Sequence, residues 1–417
     1  MSIGYACLTV GIPNTDLKSV TKKNATEERL KEVIQHNLNA LENMIDYNSK
    51  QNIRLYRISS DLIPFGSSPV NTLNWGEIYG EDFRRIGKKI KNNDLRVSFH
   101  PGQYTVLNSP HSDVVERAIE DLRYHNKIME CMEIDFTHKI VVHIGGVYGN
   151  KEEAIKRFIQ TFRKLDQPIK NRLIIENDDR LYTVEDVLGI AEACSIPVVF
   201  DNLHHTANHQ GDPKTEAYWI KEVNNTWREM DGKQKVHYSQ QASSKRIGAH
   251  TKTIYIGPFL DFYRTLPDTS IDIMLEVKDK NISTIKINNA LSIDKNIARL
   301  EKEWARYKYA VLEKSPENYQ AIRQLLKNKN EYPVIQFYQL IEEAMDTITF
   351  EGNAVNAAQH VWGYLNDGAI ESEKRAFERN LTKYRNNEGK LRTVKNQLLK
   401  LAEKQAKDYL IQSLYFY

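Results

Sequence analysis

The sequence predicts an α/β fold: a (β/α)8 TIM barrel followed by a smaller all-α domain. Three observations predict it. Short β-rich apolar runs alternate eight times with helical patterns between Ile3 and Val277, no glycine-rich phosphate loop follows the first run, and strand-like runs cease past residue 292. Eight repeats over that length match a (β/α)8 barrel in count and size. A doubly wound sheet would carry a glycine-rich loop after its first strand, and Gly145-Gly146 is too short to be one.

The strand-like runs are Ile3–Leu8, Ile53–Ile58, Leu95–Phe99, Lys139–Ile144, Arg172–Ile175, Pro197–Phe200, Gln234–Tyr238 and Ile271–Val277. Each is short and apolar, the pattern of a parallel strand buried on both faces. Helical patterns lie between them at Ala25–Tyr47, Glu81–Lys91, Asp113–Met132, Lys151–Leu165, Thr183–Cys194 and Thr215–Met230. Asn24–Glu27 and Thr183–Asp186 read as helix starts with capping residues. From Ala298 to Tyr417 no strand pattern remains, and apolar heptad-like spacing marks Val334–Met345 and Val394–Leu414. The expected domains are therefore 1–292 and 298–417.

At 417 residues the chain suits two domains. Charged residues make up 27% and apolar residues 41%, a globular composition, and the net charge of +3 requires any basic surface to be local. Between Arg379 and Tyr409 nine Lys or Arg stand against three Asp or Glu, a face read as solvated or as touching nucleic acid. Cys7, Cys131 and Cys194 lie in apolar contexts without CxxC spacing, so they read as buried thiols of a reducing, cytoplasmic compartment. No signal peptide and no apolar run of roughly 20 residues is visible, so no membrane partner is expected.

The chemistry gathers where the strands end. Glu176 closes the apolar run RLII; His100, His143, Asp201 and Glu276 occupy the same place on other strands. His237 lies within the seventh run, His204 and His205 follow the sixth, and His250 lies in the loop after the seventh. In a barrel these positions share the C-terminal rim, where barrel enzymes hold their chemistry. Acids crowded into one place need cations, and mixed imidazole and carboxylate donors suit zinc, manganese or iron. Counting one of the adjacent His204 and His205, eight donors suffice for two or three ions if one carboxylate is shared, an arrangement that activates water against phosphodiesters. A sugar isomerase or epimerase on the same rim is the competing reading.

In order along the chain, YRISSDLIPF (Tyr56–Phe65), HPGQY (His100–Tyr104), VVHIGGVYGNK (Val141–Lys151), IENDD (Ile175–Asp179), VVFDNLHH (Val198–His205), KVHYSQ (Lys235–Gln240) and LEVKDK (Leu275–Lys280) resemble the UV damage endonuclease family. That resemblance implies a TIM barrel that nicks DNA immediately 5′ of UV photoproducts, leaving a 3′-hydroxyl and a 5′-phosphate, with manganese as the usual metal. It implies His100, His143 and Glu176 at one metal, and Glu176, Asp201, His237 and Glu276 at a second. His204 and His250 would hold a third, with His205 as a substitute for His204. It further implies catalytic roles for Glu176, His237 and Lys235, the lysine carboxylated or in contact with phosphate. Gln103 and Tyr104 would probe damaged double-stranded DNA, with Tyr5 beside them.

One residue departs from the family pattern: Ser68 stands where a His before Pro is usual. A serine neither ligates a metal comparably nor donates a proton near neutral pH, which leaves a non-cleaving lesion-binding protein as a further reading. YKYAVLEKSPENYQAI (Tyr307–Ile322), NAAQHVWGYLND (Asn356–Asp367) and DYLIQSLYFY (Asp408–Tyr417) resemble the YbgA-like helical family. An auxiliary role in binding DNA or a protein partner is expected there, and His360 reads as a helix-packing residue.

Overall fold

The computed structural model describes residues 1–417. Eight parallel strands close into one barrel in sequence order: β1 (Ile3–Ala6), β2 (Leu55–Arg57), β3 (Arg96–Phe99), β4 (Lys139–His143), β5 (Leu173–Glu176), β6 (Val198–Asp201), β7 (Lys235–Tyr238) and β8 (Asp272–Leu275). The TIM barrel expected from the alternation is the fold found. Arg172 ends the preceding helix instead of opening β5, since its guanidinium donates to the carbonyls of Ile134, Asp135 and His138.

Contacts divide the chain into two compact units. The first comprises Met1–Thr9, Asn14–Ile254 and Asp261–Ile285; the second comprises Val10–Pro13, Tyr255–Leu260 and Lys286–Tyr417. No helix is long and apolar enough to cross a membrane. The three cysteines are free and only partly buried, not fully as the apolar context suggested.

Side chains two apart on a strand share a face, so the barrel interior is built in layers. Val141, Ile174 and Val199 pack together as a buried apolar layer on β4, β5 and β6. Two residues later the same strands deliver His143, Glu176 and Asp201 to the rim. Two residues earlier, β4 places Lys139 at the opposite end, where its Nζ lies 2.5 Å from Asp231 Oδ1. Arg96 and Asp272 pair there too, at 3.2 Å. Close approach of β1 to β2 requires Gly4, because a Cβ there would stand 2.3 Å from the Leu55 carbonyl oxygen.

The second unit is helical. The helices Ile297–Lys314, Val334–Asp346, Glu351–Gly363, Glu371–Arg385 and Leu391–Lys404 dominate it. Val361, Phe377, Leu381, Val394 and Leu398 lie in one apolar cluster of it. His360, expected to pack between helices, is exposed, because its neighbours on the same helix, Ala357, Ala358 and Val361, take the buried face.

Candidate metal centre

Parallel register sets the rim. His143 on β4 is the register partner of Glu176 on β5, and Asp201 on β6 is the partner of His237 on β7. His100 follows β3 directly and Glu276 follows β8. The carboxylate of Glu176 is the hub: Oε2 lies 3.0 Å from His100 Nε2 and 3.7 Å from His143 Nε2. Its other oxygen, Oε1, accepts a hydrogen bond from His237 Nδ1 at 2.6 Å. Donor atoms of His100, His143 and Glu176 all lie within 4.8 Å of one another, as do those of Glu176, Asp201, His237 and Glu276. Two potential metal sites therefore share one carboxylate.

His204 joins from the short helix after β6. Its Nδ1 is 3.9 Å from Glu176 Oε1 and 3.8 Å from Asp201 Oδ1, and 2.9 Å from the Asn177 carbonyl oxygen. His205 turns away into the core, its ring 5.4 Å from Phe200 and 6.5 Å from Trp219. Of the two adjacent histidines, His204 is the one at the cluster. His250 is half-buried, within electrostatic reach of Glu276, His204 and Glu176, and outside both compact donor groups.

Burial and mutual charge set the protonation of this site. Burial pushes the Asp201 carboxyl up to about 7, opposed by His204 and reinforced by Glu176 and Glu276. Burial also acts on Glu276, but Arg57 and His237 outweigh it and hold that carboxyl well below its ordinary value. Burial disfavours the His204 cation, yet Asp201, Glu176 and Glu276 together raise it to about 9. His237 is lowered to about 4 by burial. Among the buried rim atoms without a hydrogen-bond partner are two potential donors to a metal, Asp201 Oδ2 and His143 Nδ1. Hard oxygen and imidazole donors, crowded and partly unsatisfied, fit divalent cations.

Lys235 lies two residues before His237 on the same face of β7 and is 1% exposed. Burial, with Arg96 and Arg57 nearby, lowers its amine well below the ordinary lysine value. Gln103 and Tyr104 project from the loop that begins at His100, and Tyr104 is 82% exposed. Thr105 anchors that loop by donating from Oγ1 to Asp121 Oδ2 at 2.6 Å.

Tyr5 does not stand beside them on the surface. It is fully buried, its hydroxyl 2.8 Å from Asn48 Oδ1 and 2.9 Å from Thr9 Oγ1. Both partners of the phenol are internal, so Tyr5 ties β1 to the helix Glu27–Lys50. Ser68 closes a turn, its Oγ accepting from the Val70 N–H at 3.3 Å.

Sequence reasoning missed two residues. Arg57, at the end of β2, sends Nη2 to within 2.5 Å of Glu276 Oε1 and 3.0 Å of His237 Nε2. It lies in the YRISS stretch, where a strand-end position was the available signal. Asn177 exchanges hydrogen bonds with the Asp201 backbone, at 2.9 and 3.1 Å, and so ties β5 to β6 at the rim.

The chain matches the family model UV-endonuclease UvdE over residues 2–308, and a family described as protein of unknown function (DUF1722) over residues 308–417. It is 38% identical to a UV DNA damage endonuclease of Clostridium perfringens over 353 residues, covering 83% of each chain. A Bacillus cereus UV DNA damage endonuclease is 35% identical over 289 residues, 69% of this chain and 90% of that one. The crystal structure of SacUVDE superposes with a TM-score of 0.66 at 37% identity, covering 70% of this chain and 99% of that one. The barrel, the shared-carboxylate rim and these matches place the chain in the UV-endonuclease UvdE family of DNA repair endonucleases.

Proposed function

We propose that the barrel, residues 1–292, nicks damaged duplex DNA at the phosphodiester immediately 5′ of a UV photoproduct, abasic sites being a further substrate, and leaves a 3′-hydroxyl and a 5′-phosphate. Residues 298–417 serve as an auxiliary DNA- or partner-binding domain, and the enzyme works in the cytoplasm. The observation that carries the reading is the pair of donor groups sharing Glu176, set directly behind the exposed Gln103–Tyr104 loop.

His100, His143 and Glu176 would hold one divalent ion, and Glu176, Asp201, His237 and Glu276 a second; His204 and His250 would complete a third. The ions are manganese, with zinc compatible with the same donors. When bound, they supply a water of lowered pKa and a clamp for the phosphate. The chain's own residues prepare the site. His237 donates from Nδ1 to Glu176, which fixes its tautomer and leaves Nε2 as an acceptor. Asp201 holds a proton near neutral pH that a cation would displace. The unprotonated Lys235 amine favoured by burial is the form that can take up carbon dioxide, releasing a proton as its carbamate forms. Gln103 and Tyr104 stand clear of the rim to enter a helix weakened by a photodimer, where extruding bases costs less.

The test is an end-labelled duplex carrying one cyclobutane dimer, incubated with Mn2+ and either the native protein or Glu176→Gln. Nicking 5′ of the dimer by the native chain alone, with damage-selective binding retained in the variant, is the expected result. Equal activity in both would remove Glu176 from the mechanism. Selective binding without any nick would make Ser68 decisive and the protein a lesion-binding module.

A further inference from the structure

The helical unit contains a groove of about 620 Å3 between the helices Glu371–Arg385 and Leu391–Lys404. Thr393, Asn396, Gln397, Lys400 and Lys404 line it from one helix and Asn380 from the other. Spacings of three and four along Leu391–Lys404 put these five on one helix face. Amides, a hydroxyl and ammonium groups thus border one open channel whose wall is otherwise the apolar surface of Ala376, Leu401 and the aliphatic stems of the longer side chains.

The charge along this channel is one-sided. Glu373 is the acid in its lining, and it is already engaged: Oε1 lies 2.7 Å from Lys404 Nζ, and Oε2 accepts from the Ile370 N–H at 3.0 Å. Lys400 is exposed and makes no ion pair. Arg379 and Lys383 do not line the groove, but each lies three residues beyond a lining residue of the same helix, Ala376 and Asn380, and so adjoins it; both are exposed and unpaired. Elsewhere in the unit, cations close to acids pair with them, as Lys395 does with Glu313 at 2.6 Å and Lys374 with Glu371 at 3.5 Å. One free cation in the lining, Lys400, and two more one turn along the neighbouring helix, with hydrogen-bonding amides between them, suit a linear polyanion that also accepts hydrogen bonds.

We propose that this groove binds the sugar-phosphate backbone of duplex DNA, without regard to sequence. Phosphate contacts in protein–DNA complexes come from the residue types found here, Arg, Lys, Ser, Thr, Asn and Gln. The lining offers no aromatic side chain on which a base could stack, so it recognises backbone, not bases. An acidic protein partner fits less well, since protein interfaces anchor on buried aromatic or large apolar groups, and Ala376 and Leu401 are the apolar residues of the lining. Because both units belong to one chain, backbone binding here raises the effective concentration of DNA at the barrel. The proposal rests on the DNA-repair reading for its choice of polyanion.

The test uses the full chain, metal-free, with an undamaged fluorescent duplex titrated across a range of salt. Replacing Arg379, Lys383 and Lys400 together by Gln should weaken binding about tenfold or more at moderate salt. It should also reduce the slope of log K against log salt by about 2–3, since three phosphate contacts are lost. The charge-preserving variant Arg379→Lys, Lys383→Arg, Lys400→Arg should keep the slope, which separates lost charge from lost folding. On damaged DNA with Mn2+, the Gln variant should raise KM and leave kcat unchanged. An unchanged salt slope in the Gln variant would overturn the proposal and turn attention to a protein partner. A reduced slope in a chain that nicks nothing would keep the groove and sink the nuclease reading instead.

Discussion

Arg57 Nη2 stands 2.5 Å from Glu276 Oε1, at a rim that is otherwise built to hold cations. The guanidinium also reaches His237 Nε2, so it occupies the side of the shared cluster where the second ion would sit. Arg57 therefore neutralises the Glu276 acid, and would compete with a cation for the same donors. Arg57→Ala should destabilise the metal-free protein by about 3–5 kcal/mol, the usual cost of leaving a buried charge unpaired. The same variant should bind Mn2+ about tenfold more tightly, a gain of roughly 1.4 kcal/mol. Thermal melts and calorimetric titration of the metal-free chain measure both. Looser metal binding in the variant would count against competition.

Tyr104 is so exposed that its removal touches no core packing. Tyr104→Ala should leave the melting temperature unchanged and reduce discrimination between dimer-containing and undamaged duplex by about tenfold, in line with roughly 1–3 kcal/mol per base–aromatic stack. Competition binding with the two duplexes gives the ratio directly. An unaltered ratio would leave Tyr104 without a part in damage recognition.

At the other end of the barrel, Lys139 and Asp231 form a buried pair. Arg228 Nε also lies 2.8 Å from Asp231 Oδ2 and keeps that acid paired, so Lys139→Ala should cost about 1–3 kcal/mol, and Lys139→Met combined with Asp231→Leu should recover only part of it, because Arg228 then loses its partner. Urea midpoints of the single and double variants settle the comparison.

His138 gives the fold a pH dependence of known sign. Its Nδ1 accepts from the Val97 N–H at 3.0 Å, and burial lowers the imidazole to about 4. The unfolded chain takes up that proton near pH 6.5 and the folded chain does not until about 4. Stability from His138 is therefore complete above the unfolded value and is lost as pH falls from 6.5 toward 4. Denaturant midpoints should fall over that interval, by less in His138→Gln. An equal fall in both proteins would assign the effect to other groups.

The rim was legible because each donor closes or adjoins a short apolar run, a pattern that survives ignorance of the fold. His100, His143, Glu176, Asp201, His237 and Glu276 all satisfy it, and barrel closure brings them together. Arg57 was not legible, since a strand-end arginine reads equally well as a surface ion pair and its partner lies 219 residues away. Tyr5 entered through the family resemblance, and its burial against Asn48 was not legible because that partner lies on a separate helix. The choice between His204 and His205 needed the helix after β6, whose turn sends neighbouring side chains in different directions. In the helical unit the excess of cations was visible, but which of them lie beside one groove depends on how two helices pack.

The donors are spread one per strand from His100 to Glu276, with Glu176 in the middle of that span. During synthesis, no metal-holding rim of both donor groups exists until the ribosome has passed Glu276 and β8 has paired with β1. A chain that stops before Glu276 thus lacks one donor of the second group and the strand that closes the barrel, although the exposed Gln103–Tyr104 loop has already been made.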